Sequence, residues 1–268
     1  MSPAVPAAAP VPTPVPARPV LVARPAGRGA SLLQLLAAAG LAAVHEPLVH
    51  LAPATSEELT AARERLAAGG YTHLVVTSRT AAECLGAVTV PAGTVVVAVG
   101  GGTAQSLAQL GIASTLVAEG SGAALVDQMP AADEGATVLF PASSAASRTV
   151  PEGLRAKGYR VHEVTAYKPR RLDPPPAVAV GMANGAYAAL VLTSPMIAQQ
   201  AAAVGVHPST AVVTIGEPTS RAVRAAGLPL AAQAAAPTDV ALVAAVREVL
   251  ARPHPAPLSP PTFPKELR

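Results

Sequence analysis

The sequence predicts an α/β protein of two similar lobes, each a parallel sheet flanked by helices. Two observations carry that expectation. Short runs of β-branched residues alternate with alanine-rich helical stretches, and the runs are apolar throughout rather than at every second position. Strands of that kind are buried on both faces, as in parallel sheets covered by helices. The chain also repeats itself. Leu74-Val75-Val76-Thr77-Ser78 matches Leu190-Val191-Leu192-Thr193-Ser194 at an offset of 116, and Val96-Val97-Ala98-Val99-Gly100 with Thr103 matches Val212-Val213-Thr214-Ile215-Gly216 with Thr219 at the same offset. Earlier in each half the offset is 117 to 118, which aligns Gly40 with Gly158 and Val44-His45-Glu46 with Val161-His162-Glu163. An offset held across so many positions marks an internal duplication. Two related halves with a cleft between them are expected.

Taken in order, Val20–Arg24 reads as a strand and Ala30–Ala39 as a helix that stops at Gly40, a residue suited to a helix C′ position. Val44–Leu51 reads as extended. Ser56 caps a helix with Glu57 and Glu58 in its first turn, running to Ala68 and ending at Gly69-Gly70. His73–Thr77 and Thr94–Val99 are apolar strands, each followed by a helix, and Thr115–Val117 and Val138–Phe140 add two more. Ala189–Thr193 and Ala211–Ile215 are strands of the second half, and Asp239–Leu250 is a final helix.

Proline marks the boundaries. Seven of the 29 prolines lie in residues 1–19, six in 252–268 and four in 169–176. The two ends read as disordered tails and the stretch from Lys168 to Pro176 as a stiff connector. Residues 1–19 carry +1 and 252–268 carry +2, so the whole formal charge of +3 sits in the tails and the body balances at 15 basic against 15 acidic residues. The basic isoelectric point is therefore no argument for nucleic acid, and six aromatic residues make a poor base-stacking surface. No apolar run is long enough to span a membrane. Met1 to Arg18 lacks the basic start of a signal peptide and is interrupted by proline. A single cysteine, Cys84, fits a reducing compartment, so a cytoplasmic protein is the expectation. No exposed apolar surface is identifiable from the pattern, so a monomer is the expected state.

Several chemistries find no support. Gly100-Gly101-Gly102-Thr103-Ala104-Gln105 lacks the third glycine of a dinucleotide fingerprint, and its repeat partner, Gly216-Glu217-Pro218-Thr219, keeps one glycine. There is no P-loop and no nucleophile elbow. His45 and His50, five apart on an extended segment, fall on opposite faces, and no histidine spacing suits a metal.

The order of the motifs resembles the uroporphyrinogen-III synthase family. Val20-Leu21-Val22-Ala23-Arg24-Pro25 is followed by the first Thr-Ser and the first Val-Gly-x-x-Thr. Then come Leu154-Arg155-Ala156-Lys157-Gly158, Val164-Thr165-Ala166-Tyr167-Lys168, a second Thr-Ser and Ile-Gly-x-x-Thr. The resemblance covers residues 20 to about 250. It implies two lobes joined by a two-segment extended hinge, with crossings at Val44–Pro53 and Val161–Pro169. One lobe would hold residues 20–43 with 170–251, the other residues 44–169. It implies cyclisation of a linear tetrapyrrole, hydroxymethylbilane, with loss of water and inversion of ring D, and no metal or organic cofactor. A non-catalytic sensor of the same fold, binding a tetrapyrrole or another polyanion, is the competing reading.

Losing a hydroxyl group as water needs a proton donor. Tyr167 matches the family's tyrosine position at the end of a crossing, and the resemblance implies that its phenol is that donor; a ring packed in the hinge is the plainer alternative. Ser78, Thr103, Ser194 and Thr219 each follow a strand and open a helix. Such positions offer hydroxyls and helix-start N–H groups to carboxylates, or simply cap the helix. Arg24, at the end of the first strand, could pair with a carboxylate of the substrate or form a salt bridge. Family members commonly carry an arginine-glycine pair after the proline equivalent to Pro141, where this chain has Ala142-Ser143. Arg148, or the amides of the loop containing Ser144, are the candidates to fill that anion-binding role.

Overall fold

The structure is a computed structural model that describes residues 18–252. It divides into two compact units, one made of the described residues up to Val49 together with those from Arg171 onward, the other of His50–Arg170. The expected proline-rich tails lie outside the described residues, apart from Arg18, Pro19 and Arg252. Arg18 is held by hydrogen bonds to the Gly185 carbonyl and Ser209 Oγ, and the Pro19 carbonyl accepts from the Ala188 N–H.

The first unit opens with β1 (Val20–Val22), α1 (Ala30–Ala38) and β2 (Ala43–His45). Gly40, at φ +75°, ends α1 as its position after the alanine run predicts. β3 (Val49–Pro53) then carries the chain into the second unit. Val44–Leu51, expected as one extended segment, is thus two strands in different sheets. Pro47, with no N–H to give to a ladder, separates them.

The second unit continues with α2 (Glu57–Ala67), β4 (His73–Val76), α3 (Arg79–Leu85), β5 (Val95–Val99), α4 (Gly101–Gln109), β6 (Leu116–Ala118), α5 (Gly122–Gln128), β7 (Thr137–Ser143), α6 (Thr149–Ala156) and β8 (Arg160–Arg171). Ser56 caps α2 as its sequence context predicts, its Oγ accepting from the Leu59 N–H at 3.1 Å. The sheet order is β3-β8-β7-β4-β5-β6, and the pairs from β8 to β6 are parallel. β3 runs the other way: Ala54 N–H bonds the Ala166 carbonyl, while Leu172 N–H bonds the Leu48 carbonyl.

Strand alternation sorts this core into two faces. Leu74, Val76 and Leu139 pack with Leu59, Leu66, Leu85 and Leu107 on one side; Val75, Val97, Val138 and Phe140 pack with Leu125 and Leu154 on the other. Each buried leucine or phenylalanine contributes about 1.5–3 kcal/mol relative to exposure, which is what holds helices of seven to eleven residues in place.

The connector expected from Lys168 to Pro176 is largely regular structure. β8 runs through Pro169 to Arg171, and Pro176 opens α7 (Pro176–Ala183). Pro169 is tolerated because its nitrogen faces the β7 side, as the Tyr167 carbonyl does. β7 has already ended at Ser143, opposite Tyr167, so no ladder bond is lost. Pro176 sits in the first turn of α7, where a missing N–H costs nothing.

The first unit then closes with β9 (Ala189–Leu192), α8 (Pro195–Val204), β10 (Ala211–Thr214), α9 (Glu217–Ala225), β11 (Leu230–Gln233) and α10 (Asp239–Ala251). Its sheet, in the order β11-β10-β9-β1-β2, is parallel throughout. All of β1 and β9 is buried, as continuously apolar strands between two helical layers must be.

Candidate functional site

In parallel α/β sheets the strand carboxyl ends, where helices begin, are the natural place for a ligand. In the second unit, β4 ends at Val76 and, after Thr77, Ser78 opens α3. Ser78 Oγ accepts from the Ala81 N–H at 3.1 Å, so this serine is a true N-cap. The same oxygen lies 3.3 Å from Tyr167 Oη. Tyr167 stands on β8 opposite Ser143 of β7, its ring half-buried against the core, and its carbonyl accepts from the Ser144 N–H at 3.0 Å. Tyr167, Ser78 and Ser144, predicted separately, are thus brought together.

On the neighbouring strand, β5 gives way to α4 through Gly100. Its φ of +74° suits glycine, and having no side chain it leaves α4 without a side-chain cap. Thr103 follows in the first turn, 5% exposed. The first unit repeats the arrangement. Ser194 caps α8, accepting from the Ile197 N–H at 3.3 Å, while α9 opens at Gly216 with no side-chain cap and Thr219 is 2% exposed. The four repeat-related positions therefore separate into two kinds. The serines cap; the threonines do not. Among the described residues neither threonine hydroxyl has a hydrogen-bond partner, yet the one fully buried orphan oxygen is that of Ser114. Both threonine oxygens therefore keep a little accessible surface beside a helix start without a side-chain cap.

The predicted arginines are engaged elsewhere. Arg24 is 9% exposed; its Nη2 meets Asp239 Oδ1, at the start of α10, at 2.6 Å, and its Nη1 bonds the Arg28 carbonyl. Arg148 is exposed and spans Glu163 at 2.9 Å and Glu152 at 3.3 Å, sharing Glu163 with Arg155. Ala142, at the place where family members commonly carry that arginine, is buried in the core. A residue the sequence reading passed over takes up the question. Arg79, the first residue of α3, is exposed and has no ion-pair partner among the described residues. Its side chain lies over Gly102, where a Cβ would come within 3.3 Å of Arg79 Cδ. The guanidinium stem therefore crosses the first turn of α4, at the residue before Thr103, from a position next to Ser78. No group of three or more metal-ligating side chains occurs among the described residues.

Two α/β units with one strand order, each with a capping serine and a threonine-bearing helix start without a side-chain cap on adjacent strands, define a duplicated α/β protein. The family model of uroporphyrinogen-III synthase HemD matches residues 30–244. The chain belongs to the uroporphyrinogen-III synthase family. In fold it is similar to a mutant uroporphyrinogen III synthase of the extremely thermophilic bacterium Thermus thermophilus, at 16% identity and a TM-score of 0.58, covering 87% of this chain and 99% of that one. It is equally similar to the uroporphyrinogen-III synthetase of Helicobacter pylori, at 14% identity and a TM-score of 0.58, covering 87% and 97%. No curated protein matches the chain. No helix among the described residues is long and apolar enough to cross a membrane.

Proposed function

We propose that this chain is a uroporphyrinogen-III synthase. It would cyclise hydroxymethylbilane to the macrocycle with ring D inverted, releasing water. The match over residues 30–244 carries this reading, and the placement of Tyr167 supports it. In the proposed reaction the bond between the terminal carbon and its hydroxyl oxygen breaks. The oxygen leaves as water with a donated proton, and the carbon remains as a cationic azafulvene that the already substituted carbon of ring D attacks. In the resulting spiro intermediate the older bond from ring D to its neighbouring methylene breaks and re-forms at the other side of ring D. The ring proton released on closure restores the donor. Tyr167 Oη, 3.3 Å from Ser78 Oγ, is the proposed proton or hydrogen-bond donor. A phenol does this without bringing a net charge, and Ser78, fixed as the cap of α3, orients it.

Eight substrate carboxylates need donors. Thr103 and Thr219, with the uncapped amides of α4 and α9, are the proposed pair of carboxylate sites, one in each unit. Arg79 is proposed for the anion-binding role expected of Arg148, because its guanidinium is uncommitted where that of Arg148 is not. Ser194 and Arg24 read as structural. A cytoplasmic monomer acting on a small molecule, with no nucleic-acid or membrane partner, belongs to the same proposal.

The test is a coupled assay on freshly made hydroxymethylbilane, with the uroporphyrin isomers resolved after oxidation. Isomer III is expected. Isomer I alone, the spontaneous product, would overturn the reading in favour of a non-catalytic binding protein. Tyr167→Phe is expected to lower kcat about 100-fold, within the usual range for a general acid, with no change in the urea midpoint. Thr103→Val and Thr219→Val should mainly raise KM.

A further inference from the structure

The second unit has a groove at the opposite end of its sheet from Ser78 and Tyr167. It lies where the strands begin, with Thr137 at the start of β7 and Arg160 at the start of β8, and has a volume of about 680 Å³. Its walls bring together Arg65 from the last turn of α2, Arg155 from the last turn of α6, Arg160, His162, Tyr71 and Tyr159. The folded body as a whole is charge-balanced, so three guanidinium groups and an imidazole in one groove are a local surplus.

The carboxylates nearby, Asp133 beside Tyr159 among them, cancel it only in part. Glu163 pairs with Arg155 at 2.6 Å, and Glu58 approaches His162 Nε2 no closer than 3.8 Å. The Arg160 guanidinium bonds the Gly135 carbonyl, and Arg65 lies over the Tyr71 ring, 4.6 Å from its centroid. Neither has a carboxylate partner among the described residues.

The floor of the groove is rigid and polarised. Tyr71 is 3% exposed and its hydroxyl is 2.5 Å from His162 Nδ1. Burial pushes the Tyr71 phenol up, against the opposing pull of Arg65. Tyr159 closes the other side, edge-on to His73 with ring centroids 5.0 Å apart.

From this convergence we infer a second oxyanion site in the groove of Arg65, Arg155, Arg160 and His162. It would take a small, multiply charged anion bearing phosphoryl or several carboxylate groups. Guanidinium forks match the paired oxygens of either group, and a multiply charged ligand answers several of them at once. The site is separate from the strand carboxyl ends and is independent of the proposed reaction.

Calorimetric titration of the full chain with pyrophosphate and, separately, with citrate tests it. Saturable binding of at least one probe is expected, and the stronger probe identifies the phosphoryl or the carboxylate source. Arg160→Gln, at an exposed position, should weaken binding about 10-fold, with Arg155→Gln as the second variant should the first fail to fold. Arg221→Gln, a surface control, and Thr103→Val, at the other end of the sheet, should leave it unchanged. No saturable binding below ~10 mM, or equal losses in Arg160→Gln and Arg221→Gln, would overturn the inference. So would a loss in Thr103→Val, because the anion would then be at the strand carboxyl ends.

Discussion

The two units are one sheet written twice, with the chain entering at different points. Reading β8-β7-β4-β5-β6 in the second unit against β2-β1-β9-β10-β11 in the first gives the same order of parallel strands. The registers agree as well: His73 pairs with Val138 as Ala189 pairs with Val20, and Leu74 with Val96 as Leu190 with Val212. Even a side-chain bond recurs, since Thr94 Oγ1 bonds the Tyr71 carbonyl as Thr210 Oγ1 bonds the Tyr187 carbonyl. The differences lie at the strand ends. After β1 the first unit has the partly buried Arg24–Asp239 pair, where the second has Ala142. The second unit extends β8 to twelve residues and mounts Tyr167 on it, where β2 stops after three. Duplication kept the sheet and left its ends free to diverge, which separates scaffold from chemistry without any alignment.

The largest expected effect tests whether Arg24 belongs to scaffold or to site. Arg24→Met takes the guanidinium away from Asp239 in a partly buried place and should cost about 3 kcal/mol in urea unfolding; Arg24→Met with Asp239→Leu should recover most of it. Unchanged stability with reduced turnover would return Arg24 to the substrate. Next, Ser78→Ala and Ser194→Ala should each cost about 1 kcal/mol as lost caps. They should part company in the isomer assay, where the Ser78 variant loses turnover and the Ser194 variant keeps it. Equal activities would remove Ser78 from its proposed role beside Tyr167.

The smallest effect concerns pH. Burial holds His73 below the usual 6.5, and its repeat counterpart is Ala189. As pH falls through 6.5 the unfolded chain takes up a proton that the folded chain refuses until a lower pH, so stability declines across that interval. His73→Ala makes the position like that of the first unit and should flatten this part of the decline in urea midpoints measured at about pH 7.5 and 5.5. An unchanged slope would assign the acid sensitivity to other groups.

The buried strands were legible because burial on both faces leaves an apolar run, and the duplication was legible because both copies kept it. β11, Leu-Ala-Ala-Gln at a half-buried edge, has no β-branched residue to announce it. α7 was hidden behind a proline triplet that reads as a connector although one of its members starts the helix. In the site, the positions of Ser78, Thr103, Ser194 and Thr219 could be read from spacing. Which of them cap could not, since that depends on the residue at which each helix starts and on the backbone angle taken there. Asp239 lies 215 residues from Arg24, and Glu163 reaches Arg148 only through the fold, so no local pattern shows that these arginines are occupied. Arg79 was missed for the converse reason: a charge at a helix start reads as solvated until the structure shows it lying over Gly102.

The entry point of the chain into each sheet has a consequence for synthesis. The second unit is continuous, so its strands can pair as soon as they leave the ribosome. β1 must wait for β9, because Val20 pairs with Ala189. At translation rates of about 5–20 residues per second the wait is on the order of ten seconds. During it the apolar β1, α1 and β2 have no sheet to join and are open to wrong partners. β3 and β8 lie side by side in one sheet, so completing the second unit brings the two ends of its sequence together. An entropically costly closure over more than a hundred residues becomes a short one. Pairing of β1 with β9 thus follows completion of the second unit in the order of the chain.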